Sequence, residues 1–111
     1  MGVVAKAHLI YGYKINGERM RKMWHNFSEK EYEKLAMDKV NKCEIIYGYD
    51  NPEYLGIELA YVAEDDEPKV LSQKFHTISS ELKNEIKNYA AKAFGEPDIA
   101  EPEYFLACLS H

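Results

Sequence analysis

Apolar and polar positions along this chain change period several times, and each change predicts a new element. Residues 3–15, VVAKAHLIYGYKI, are β-branched and aromatic enough for a long strand, stopped by Asn16-Gly17. Met20, Met23, Trp24 and Phe27 then fall at i, i+3, i+4 and i+7, the spacing of one helical face. Asn16-Gly17 is also a hairpin signal, but the helical spacing is the stronger pattern. Ser28 with Glu31 forms a capping box. Tyr32, Leu35, Ala36 and Val40 carry a second amphipathic helix to about Asn41.

CEIIYGY (43–49) reads as a strand, Asp50-Asn51-Pro52-Glu53 as a turn, and YLGIELAYVA (54–63) as the returning strand. Glu64 to Pro68 is a solvated tip, and KVLSQKF adds a short edge strand near residue 70. Ser79 or Ser80 caps a helix whose Leu82, Ile86, Tyr89, Ala90, Ala93 and Phe94 form one stripe, closed by Gly95 and Pro97. EYFLACLS (103–110) is apolar on both faces, which predicts an interior strand. The order β-α-β-β-α-β predicts a single α+β domain: an antiparallel sheet of four to five strands with helices on one face, in the ferredoxin-like plan.

The repeated Tyr-Gly-Tyr, at 11–13 and 47–49, then acquires a direction. A symmetric four-residue turn at 50–53 pairs Tyr49 with Tyr54, Tyr47 with Gly56 and Ile45 with Glu58, all on one face. Ile46, Gly48, Leu55, Ile57, Leu59 and Tyr61 fall on the other face, the more apolar one, which is expected to meet the helices. In the first strand Ile10 and Gly12 join the helix side, while Leu9, Tyr11, Tyr13 and Ile15 look away. The predicted binding surface is therefore a tyrosine-lined sheet face of Tyr11, Tyr13, Tyr47, Tyr49 and Tyr54, with Glu58. Tyrosine suits such a surface, since it contributes apolar area while its hydroxyl stays wet. Leu9 and Ile15 imply a cover, either the 64–78 segment, a second copy of the chain, or another protein or small ligand; the bland alternative is a face that is simply a tyrosine-rich exterior.

Composition narrows the role. At 111 residues the chain fits one domain, burying roughly 65% of its unfolded surface. Its 46% hydrophobic and 30% charged residues exclude a disordered chain. No apolar run approaches the ~20 residues of a membrane span, and MGVVAKAHLI lacks the features of a signal peptide or a myristoylation site. A cytoplasmic location without membrane contact is expected. Cys43 and Cys108 show no paired spacing and are expected as two reduced thiols. Cys108, in an interior strand, should be inert, leaving Cys43 the more reactive.

The net charge of −5 is uneven. Residues 1–42 hold nine Lys/Arg against five acids, and residues 43–70 hold Lys69 against eight. An acidic pI near 5.4 and the absence of a basic-aromatic RNA-recognition signature argue against nucleic acid. The one local exception is Arg19, Arg21 and Lys22 with Trp24 and His25, which reads as the solvated side of a helix. Glu64, Asp65, Asp66 and Glu67 are too few for a DNA mimic. His8, His25, His76 and His111 show no metal-ligand spacing, and GxSxG, phosphate-loop and dinucleotide motifs are absent, so no cofactor is expected. The expected role is a non-catalytic protein-interaction or regulatory module, with a protein partner or a second copy on the tyrosine face. The alternative is a small enzyme or ligand binder with its pocket between that face and residues 64–78; its acid-base groups would be a tyrosine with His8 or Glu58.

Overall fold

The computed structural model describes residues 5–48, 52–63 and 78–110. Strand β1 (Ala5–Ile15) is followed by helices α1 (Gly17–Asn26) and α2 (Glu29–Met37), strands β2 (Glu44–Ile46) and β3 (Glu53–Ala63), helix α3 (Ser80–Phe94) and strand β4 (Glu103–Ser110). The fold is α+β, with three helices and a four-stranded antiparallel sheet in the order β2-β3-β1-β4 among the described residues. The edge strand expected near residue 70 and the 64–77 part of the expected cover lie outside these residues.

Local chemistry sets the helix ends. Asn16 accepts a bond from the Arg19 N–H at 2.8 Å, opening α1. Ser28 and Glu31 form both halves of the capping box that opens α2. Ser79 caps α3, and Gly95 closes it at φ 65, in the left-handed region that glycine enters without cost. The second helix stops at Met37, short of the expected Asn41. Val40 and Cys43 instead exchange backbone hydrogen bonds of 2.8 and 2.9 Å across a two-residue turn whose Asn41 and Lys42 both have positive φ. That is the primed hairpin turn, which cannot continue a helix.

The helices contribute Met23, Leu35, Ile86, Ala90, Ala93 and Phe94 to one buried cluster, where they meet Tyr11, Tyr13, Ile15, Ile45 and Leu55 of the sheet. The first Tyr-Gly-Tyr therefore points opposite to expectation. Tyr11 and Tyr13 are 3% and 5% exposed on the helical side, with the Tyr13 ring edge-on to Phe94 at 6.2 Å. By strand alternation Gly12 faces the other way, directly opposite Gly56. A methyl group on either glycine would lie 2.2 Å from a backbone oxygen of the neighbouring strand. Gly12 thus serves close contact between β1 and β3 rather than close packing of a helix.

Two features overturn the predicted register. The β2–β3 pairing sets Glu44 opposite Gly56 and Ile46 opposite Tyr54. That is three residues from the symmetric turn, and an odd slip exchanges the faces of β2. Ile46 consequently joins Ile10, Tyr54, Ala107 and Leu109 in a second buried cluster that contains no helical residue among the described residues, with Phe105 packed against it. The other feature is a register shift between Leu9 and Ile10 of β1, where Ile10 faces Glu58 but Leu9 faces Ala60. The extra residue in β3 is a bulge.

Strand β4 ends the described sheet instead of lying inside it. Its Ala107 and Leu109 are buried in the second cluster, while Tyr104, Leu106 and Cys108 on the alternate face are exposed, Leu106 by 80%. The expected thiol order reverses accordingly. Cys43 is fully buried, and burial first, then Glu85 and Glu44, push its thiol up to about 12. Only a thiolate attacks disulfide reagents. Such a reagent at pH 8 should titrate one thiol per native chain, Cys108, and two once the protein is denatured. Rapid modification of both in the native state would contradict this placement.

Candidate functional site

The β3 bulge builds the most chemically loaded place on the described surface. On the face away from the helices β3 presents Tyr54, Gly56 and Glu58; past the bulge it presents Tyr61, opposite His8. His8 is thereby held between two β3 side chains. Its Nδ1–H donates to Glu58 Oε1, and its ring stacks on Tyr61 at 6.0 Å and 24°. Lys6 Nζ lies 5.6 Å from the centre of the Tyr61 ring. His8 is only 6% exposed, whereas the Glu58 side chain keeps a quarter of its surface.

A cleft of about 380 Å3 opens beside this pair. Its described walls are His8 of β1, Glu44, Ile45 and Ile46 of β2, Tyr47 and Gly48 just beyond, Glu58 of β3, and Ser110 at the end of β4. The register places Glu44, Glu58 and His8 along a diagonal over three strands, because Glu44 faces Gly56 and Glu58 faces Ile10. Gly56 leaves the sheet bare between the carboxylates. Burial pushes the Glu44 carboxyl above the ordinary range; Lys39 draws it partly back, and Glu58 and Asp38 add to the rise.

The arrangement combines a hydrogen-bonded imidazole–carboxylate pair, a second carboxyl biased toward its proton, and a half-exposed phenol at Tyr47. Such a set can bind a cation, accept hydrogen bonds or relay a proton. Among the described residues, no three of His, Cys, Asp and Glu converge as a metal site. The chain matches no protein-family model, no curated protein and no solved structure.

Of the residues expected on the tyrosine face, Tyr47 and Glu58 line the cleft. Tyr11 and Tyr13 lie in the helix-side core, and Tyr54 is buried in the second cluster against Phe105, at 5.2 Å between rings. Tyr49 lies outside the described residues. His8 and Glu58, named in sequence as separate acid-base options, are brought together, while Glu44 and Ser110 were not anticipated. The alternation of β3 carried no sign of the bulge, and a shift of one residue decides whether Tyr61 sits beside His8.

Arg19 leaves the basic stretch for a different task. Its Nε and Nη2 donate to the Glu96 carboxylate at 2.7 and 3.1 Å, its Nη1 to the Lys14 carbonyl at 3.0 Å, and its plane lies 4.8 Å from the Phe94 ring. The guanidinium holds the Glu96 carboxyl below the ordinary range. It ties the start of α1 to the ends of β1 and α3.

Proposed function

We propose that this protein binds a small cationic molecule, an amine or guanidine, in the cleft beside His8 and Glu58. The observation carrying this reading is that, among the described residues, a buried histidine–carboxylate pair forms one wall of a roomy cleft. The volume lies within the range of small-molecule sites. Glu44 and Glu58 supply two acceptors for a cation, and Tyr47 supplies a ring at the rim. The same pair is equipped for acid-base chemistry on the bound molecule. The antiparallel order β2-β3-β1-β4 supports a ferredoxin-like plan, a frame too widely shared to indicate activity. The free cysteines support a reducing, cytoplasmic setting. A second reading, a module that binds a protein partner or a second copy, is supported by Leu106 standing exposed on β4.

Titration with ethanolamine, guanidinium, putrescine and tetramethylammonium, against acetate and phosphate, tests the cleft by calorimetry. At least one cation should bind in preference to the anions, with affinity falling tenfold or more in Glu44→Gln/Glu58→Gln. Glu44 must be ionised to hold a cation, so binding should weaken as pH falls through its raised pKa, and proton release on binding should appear only near that pKa and vanish well above it. Preference for the anions, or affinity unchanged in the double variant, would refute the proposal.

A further inference from the structure

A second cleft, of about 420 Å3, lies between α3 and the turn that follows α2. Its described walls are Asn41 and Lys42 of the turn and Glu85, Asn88, Tyr89 and Lys92 of α3, none of which borders the His8 cleft. The four helical positions fall at i, i+3, i+4 and i+7 and so make up one face of α3. Both walls are fixed. Val40 and Cys43 close the turn with two backbone hydrogen bonds, and Lys42 reaches across to α3, its Nζ donating to Glu85 Oε2 at 3.0 Å. Tyr89 is held by its ring, stacked on Phe27 at 6.2 Å and 20°. Burial, then Cys43 and Glu31, push its hydroxyl above the ordinary range, which keeps it neutral and able both to donate and to accept.

The lining residues are all polar, and their charges are already answered. Lys42 is paired with Glu85. Lys92 faces Glu31, whose carboxyl is held below the ordinary range first by its bonds to Ser28 and further by this lysine. What the cleft leaves uncommitted is hydrogen-bonding capacity. Among the described residues, the Asn41 and Asn88 amides, the Tyr89 hydroxyl and the Lys92 ammonium have no hydrogen-bond partner in the chain.

We propose that this cleft binds a neutral sugar, its hydroxyls bridging the Asn41 turn and the Asn88 face of α3. A sugar hydroxyl donates one hydrogen bond and accepts others, and the ring carries several at close spacing. The walls repeat that pattern, with two amides that set a donor beside an acceptor, a phenol that is both, and a lysine–carboxylate pair that adjacent hydroxyls can cap. An ion fits less well, because each charge on the walls already faces its opposite. An apolar molecule would strand the polar groups without water. Binding here exchanges water contacts for ligand contacts, so millimolar affinity is expected.

Residue-resolved NMR titration of the full chain tests the proposal with glucose, galactose, N-acetylglucosamine and maltose, against phosphate and ethanolamine as charged controls. At least one saccharide should move the amide resonances of residues 40–43 and 85–92 together and saturably, with little response to salt, where the controls leave them still. Asn88→Ala, which alters an exposed side chain, should weaken that saccharide severalfold, and Asn88→Ala/Glu85→Gln at least tenfold, with circular dichroism unchanged. Glu44→Gln/Glu58→Gln, in the other cleft, should leave it unaltered, so the two sites stand or fall separately. Saturation by phosphate or ethanolamine alone would assign an ion and overturn the proposal. So would saccharide shifts confined to other residues, shifts undiminished in Asn88→Ala, or no saccharide response.

Discussion

Gly12→Ala is expected to cost about 3 kcal/mol or more of folding stability, or to prevent folding, a loss at the upper end for any single methyl group. The added carbon would sit 2.2 Å from the Leu55 carbonyl oxygen and 2.7 Å from the Gly56 Cα, both backbone atoms of the facing strand. No rotamer can relieve that overlap, so β1 and β3 would have to part at the middle of their pairing. Gly56→Ala meets the reciprocal contacts, with the Tyr11 carbonyl oxygen at 2.2 Å, and should be equally damaging. Gly17→Ala provides the internal comparison. Nothing lies within 4 Å of its added carbon, and alanine favours the first turn of α1, so stability should hold or rise by up to about 1 kcal/mol. Urea denaturation of the three variants checks the ranking; a mild Gly12→Ala would mean that the strands are not so close.

Tyr13→Ala should be the most damaging tyrosine truncation, at about 3–5 kcal/mol. The ring is 5% exposed, packs edge-on to Phe94, and its hydroxyl donates to the Ala100 carbonyl at 2.7 Å. Tyr13→Phe isolates the hydrogen bond and should cost about 1 kcal/mol. Tyr47→Ser, which changes a half-exposed ring, should stay within about 0.5 kcal/mol. Equal losses at positions 13 and 47 would restore the equivalence of the two Tyr-Gly-Tyr copies that their sequence suggests. Chemical denaturation with a fixed m-value decides between the two outcomes.

Those two copies show where sequence ceased to be a guide. Helix boundaries are legible at Ser28, Ser79 and Gly95 because capping is local, a matter of one side chain and the N–H groups three residues away, whereas Asn16 reads as a strand stop although it caps α1. The order of strands and helices was legible for the same reason. Strand register is not local. The assumed turn placed Tyr49 against Tyr54, whereas Ile46 holds that place, and this odd displacement moved Ile45 and Ile46 to opposite faces. In β1 the small residue is compatible with helix packing or with a close strand contact, and contact with Gly56 claims it. Once Gly12 faces β3's glycine, Tyr11 and Tyr13 have only the helical side. Trp24, 65% exposed, failed differently, since the helical stripe it shares with Met20, Met23 and Phe27 is wider than the surface α1 buries.

Strand β1 pairs with β3 about fifty residues downstream and with β4 about a hundred downstream, Ala5 facing Ser110. During synthesis on the ribosome this tyrosine-rich ribbon emerges before either of the strands it pairs with here, and its second margin waits until residues 103–110 leave the exit tunnel. Such long sequence separations slow the search for native contacts. Over that interval the nascent chain is vulnerable to sticking and to chaperone capture through β1, long before β4 exists.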